Sequence, residues 1–113
     1  MRARDDEILA DLADFAATAA RIVRRGEAAY FDPEDDILRR AARSVIIDVA
    51  SAVAQLSPER RARLPEADAI IGMRNRVAHS YWSVNDRVVW NTLRRDLPEL
   101  VRTLAIETHR DDQ

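Results

Sequence analysis

Apolar residues along this chain recur at alternating steps of four and three, the period of a helix that buries one face. Ile8, Leu12, Phe15, Ala19 and Ile22 make the first such stripe, flanked by Leu9, Ala16 and Val23. The spacing predicts a helix from about Asp5 to Arg25, ended by Gly26. "YFDPEDD" then reads as a start signal, with Asp32 as N-cap and Pro33 in the first helical position. Leu38, Ala42, Val45, Val49, Ala52 and Leu56 carry the alternation through a second long helix. Ser57 and Pro58 can cap a short third segment, and Pro65 opens the stretch that follows. Asn85 is a candidate cap for "DRVVWNTLRR", and Leu93, Leu97, Leu100 and Leu104 extend one apolar face onward. Pro98 interrupts that face, which predicts a kink or a fresh helix start near Asp96. No run alternates apolar and polar as a strand would. The expected fold is all-α, an antiparallel bundle of four or five helices in one domain spanning residues 1–113.

Composition narrows the possible roles. The formal net charge is −2, so no overall positive field draws the chain to nucleic acid or an anionic membrane. Contact with RNA must then be local. The absence of cysteine excludes disulfides and thiolate metal sites. No stretch approaches the roughly 18 consecutive apolar residues of a membrane span, and "MRARDDEILADLADF" lacks the apolar core of a secretory signal. A cytoplasmic protein with no cofactor and no metal is expected. All 18 basic residues are arginine, which fits a GC-rich coding sequence as well as it fits phosphate binding.

One stretch departs from plain amphipathic helix: "MRNRVAHSYW", residues 73–82. On a helix turning about 100° per residue, Ala67, Ile70, Ile71, Met73, Val77, Ala78 and Tyr81 share one arc. Arg74 falls in the middle of it, Asn75 and His79 on its border, and Arg76 on the opposite, solvated side. A guanidinium on an apolar face needs an anion, supplied either by an acid of a neighbouring helix or by a bound phosphate. His79 is a candidate general acid or base, or a polar residue satisfied by a nearby carbonyl. Asn75, on the same side as His79, is a candidate to orient the imidazole or simply a capping residue. Arg60, Arg61, Arg63 and Arg76 are either local RNA contacts or an ordinary solvated face.

Arg74, four residues, His79, and then Tyr81 two positions on resembles the motif of the HEPN superfamily. The closer similarity is to HepT-like ribonuclease toxins that pair with minimal nucleotidyltransferase (MntA-like) antitoxins in type VII-like toxin–antitoxin systems. Val89-Trp90, Asp96-Leu97-Pro98-Glu99-Leu100 and "LSPERRARLPE" at residues 56–66 extend the likeness. "DVASAVAQ" stands where many relatives carry Gly-Glu, and "EADAIIG" where they often have Pro-Trp. The resemblance implies a two-fold homodimer with both motif helices at a shared groove. It implies metal-independent cleavage of RNA by Arg74 and His79, with Asn75 beside them, leaving 2′,3′-cyclic phosphate ends. Tyr81 would be the AMP acceptor through which the antitoxin silences the nuclease. A non-catalytic HEPN module that binds a nucleotidyltransferase is the rival expectation.

Overall fold

In a computed structural model, the backbone is described for residues 2–79 and 84–111, and the side chains for 4–79 and 84–105. Among the described residues seven α-helices follow one another: α1 (Arg2–Arg24), α2 (Glu27–Tyr30), α3 (Ile37–Gln55), α4 (Pro58–Ala62), α5 (Ala67–His79), α6 (Asp86–Asn91) and α7 (Leu97–Asp111). A π-helical turn, Thr92–Asp96, joins α6 to α7. No strand occurs among the described residues, and the all-α bundle expected from the periodicity is what the chain forms.

The stripes read from the sequence become the core. Ile8, Leu12, Ala19 and Ile22 from α1 meet Val45, Ile46, Val49 and Val53 from α3, all buried. Leu93, Leu97, Leu100 and Leu104 close the far side. α3 is the central helix, contacting α1, α5 and α6, while α5 packs mainly on α3. Gly26 ends α1 at φ 94°, a backbone angle that L side chains resist, and its N–H reaches Val23 O at 3.0 Å.

Two local expectations need correcting. The second long helix starts at Ile37 with Asp36 as its cap, later than the Asp32-Pro33 signal implied. Two short carboxylates explain the delay. Asp32 Oδ1 accepts from the Glu34 N–H at 2.8 Å and Asp35 Oδ1 from the Ile37 N–H at 3.1 Å, turns that compete with helical geometry. Arg39 pins the segment by donating to the carbonyls of Tyr30 and Asp32 at 2.8 and 2.9 Å. The other correction is α2, a single turn that the stripe did not mark. It seats Tyr30 fully inside, with ring centroids 4.7 Å from both Phe31 and Trp90.

The break expected at Pro98 takes the form of the π turn. Proline cannot donate to the carbonyl four residues back, and the preceding turn widens before the chain enters α7. Asn85 caps α6 as expected, its Oδ1 accepting from the N–H groups of Arg87 and Val88 at 2.9 and 3.3 Å.

Candidate functional site

α5 carries the candidate chemistry on the helix that the periodicity anticipated. Ala67, Ile70 and Val77 are buried against α3, and Ile71 and Met73 are half-buried at the edge of that contact. Ala78, assigned to the apolar arc by angle, is exposed. Because α5 leans on one neighbour, its apolar arc is wider than the surface that covers it.

Arg74 sits on this uncovered margin. It is half-buried, and its Nη2 donates to Asn75 Oδ1 at 3.2 Å. Among the described residues no carboxylate forms an ion pair with it, so no acid of a neighbouring helix there holds Arg74. Asn75 is exposed, and His79, one helical turn further along, is exposed on the same side at the end of α5. The structure thus links guanidinium to amide and aligns amide with imidazole along one edge. Tyr81 lies outside the described residues.

The other arginines separate. Arg76 and Arg63 are exposed. Arg61 is half-buried and donates from Nη1 to Ala54 O at 3.1 Å, satisfying a carbonyl in the last turn of α3. Arg60 is the correction: only 7% exposed, with its Nε 3.5 Å from Asp5 Oδ2, it faces inward and cannot meet RNA at the surface. The cause lies in the α3–α4 corner, where Asp5 also accepts from the N–H and Oγ of Ser57 at 3.2 and 3.0 Å. Periodicity within a five-residue helix is too short to say which of three arginines turns inward.

One anchor of α6 on α3 has no signal in the sequence. Arg43 grips Asp86 with two nitrogens, Nη2 at 2.9 Å from both carboxylate oxygens and Nε at 3.2 Å from Oδ1. The Tyr30 hydroxyl donates to the Asp86 carbonyl at 3.3 Å. Burial, with the Asp86 charge adding to it, raises this phenol far above its ordinary range. These contacts fix the start of α6, where the chain resumes after the stretch that follows His79. The partners are 43 and 56 residues apart, and no local pattern joins them.

Comparison with known proteins places the chain in a family. A family model described as "Ribonuclease HepT-like" matches residues 2–105. A protein of Caldanaerobacter subterraneus subsp. tengcongensis, named "Putative RNase TTE0752", is 34% identical over 70 residues, which cover 59% of this chain and 62% of that protein. The chain therefore spans less than two thirds of this relative's length. No solved structure gives a match.

Proposed function

The chain belongs to the HepT-like ribonuclease family, and from that premise we propose that it is a metal-independent endoribonuclease acting through Arg74 and His79. RNA carries its own nucleophile in the 2′-hydroxyl. That oxygen attacks the adjacent phosphorus while the bond from phosphorus to the 5′-oxygen breaks, giving a 2′,3′-cyclic phosphate and a 5′-hydroxyl. His79 takes the 2′-hydroxyl proton or supplies one to the leaving oxygen. Arg74 stabilises the extra charge on the phosphorane oxygens, and Asn75 holds the guanidinium in place and steadies the imidazole. Two proton transfers and one His per α5 favour a two-fold homodimer in which both helices line one groove.

The observation that carries this reading is the state of Arg74. It is half-buried beside a neutral amide, with no carboxylate partner among the described residues, so it is available to a phosphate. Asn75 and His79 lie exposed along the same edge. Arg63 and Arg76, with part of Arg61, supply the remaining grip on RNA. In this reading the protein is the toxin of a type VII-like toxin–antitoxin pair. An MntA-like nucleotidyltransferase silences it by transferring AMP from ATP to the Tyr81 oxygen with release of pyrophosphate. The adduct sets a phosphate and an adenosine where RNA enters. The test is expression of wild type, Arg74→Ala and His79→Ala without a partner. Growth arrest with cyclic-phosphate RNA ends is expected from the wild type alone. Equal toxicity in all three, or none in any, overturns the assignment, and a Tyr81 without adduct after co-expression with the nucleotidyltransferase overturns the switch.

A further inference from the structure

α1 has a second face that the core does not use. Asp6, Ala10, Ala13, Ala17, Ala20 and Arg24 are all exposed, at steps of four, three, four, three and four. On a 23-residue helix these positions fall in one line, offset from the buried stripe of Ile8, Leu12, Ala19 and Ile22. The charged ends of the line, Asp6 and Arg24, make no ion pair among the described residues. Beside its second half runs an apolar groove of about 400 Å³ between α1 and the π turn with α7, floored by Ala16, Val23, Leu93, Leu97 and Val101. Arg24 and Arg94 stand at its rim.

We propose that this face of α1 pairs with the same face of a second copy of the chain, the two helices antiparallel about a two-fold axis at the level of Phe15. The step pattern reads the same from either end, so reversal superposes it on itself. Asp6 then meets the partner's Arg24, Ala10 the partner's Ala20, and Ala13 the partner's Ala17. Opposite charges coincide at both ends, as a self-complementary contact requires. Alternating four–three spacing keeps such a seam facing its partner along its length, and methyl-sized side chains allow a close approach. The symmetry also carries Leu9, half-buried on the groove side of the line, to the mouth of the partner's groove. An acidic helix of another protein is the competing occupant, but it would leave Asp6 without an opposite charge. The seam lies on α1, apart from the α5 edge, and stands whether or not the chain cleaves RNA.

Sedimentation equilibrium over a range of concentrations tests it on the whole chain. Ala13→Glu is expected to halve the mass, from dimer to monomer, or from tetramer to dimer if α5 also pairs. Asp6→Arg and Arg24→Asp each weaken association on the order of tenfold, whereas the double exchange D6R/R24D restores it. All sites are exposed, so the circular dichroism spectrum and urea midpoint of each variant stay close to wild type. A wild type that sediments as a single chain throughout overturns the proposal. So does an Ala13→Glu protein of unchanged mass, or a double exchange no tighter than the single variants.

Discussion

At the scale of residues, charge does two different jobs in this bundle. Asp5 is nearly buried, receives two hydrogen bonds from Ser57 and lies against Arg60. Removing its carboxylate takes acceptors from both at once. Asp5→Ala is expected to lower stability by about 3 kcal/mol, read as a drop in the urea midpoint. Asp36, by contrast, is solvated. The hydrogen bond from Arg40, at 2.7 Å, holds its carboxyl below the usual range, and solvent screens the pair enough that Arg40→Ala should leave the midpoint where it was. Tyr30 adds a pH dependence of known sign. Its phenol is raised in the folded chain by burial, so the folded state favours the neutral form. That contribution is complete below about pH 10, the ordinary phenol value, and is lost as pH rises further. Stability measured at pH 8 and pH 11 should fall for the wild type, and fall less for Tyr30→Phe.

Among the elements, the long helices and the short ones with a cap signal, α4 after Ser57-Pro58 and α6 after Asn85, were legible, and the single turn α2 was not. Buried stripes on α1, α3 and α7 run for several turns, which is enough for the four–three period to stand out, and Leu93, Leu97, Leu100 and Leu104 are all inside as it implied. α2 has four residues and no period, and its place is set by stacking of Tyr30 on Trp90, 60 residues away in sequence. The start of α3 went astray because side-chain oxygens of Asp32 and Asp35 capture amides locally, which proline and aspartate counts do not reveal. On α5, angle alone put Asn75 and His79 on the border of the apolar arc, where both are exposed, and Arg74 in its middle. It overstated the burial of Arg74, since it has no knowledge of how many neighbours a helix has. Gly72, in the middle of α5, has no atom of the described residues beyond its own helix backbone and chain neighbours within 4 Å of where a Cβ would stand. Gly72→Ala is therefore expected to stabilise the fold by about 0.5–1 kcal/mol, seen as a higher urea midpoint.

For the whole molecule, the charge balance governs how RNA can be held. A net charge of −2 gives no general attraction, and burial of Arg60 removes one cation from the surface. On the proposed function, RNA would be held by few phosphate contacts, so a modest affinity that falls with salt is expected. Arg76→Ala should weaken RNA binding evenly across sequences and flatten the salt slope by about 1, with an unchanged urea midpoint. Fluorescence anisotropy of a labelled single-stranded RNA at several salt concentrations checks both effects. Arg60→Ala should do the reverse, lowering stability with little change in slope.

The dependence of α5 on α3 has a consequence for the newborn chain. Ribosomes release a protein from its first residue onward, and α1 with α3 is already a matched pair of apolar surfaces before α5 leaves the exit tunnel. The segment bearing Arg74 and His79 thus arrives at a finished wall and settles on it late. Its main contact among the described residues, with α3, is the surface that would have to open for it to lift away again. If the proposed nuclease activity holds, its two key side chains would reach their working place only once α1 and α3 have been made.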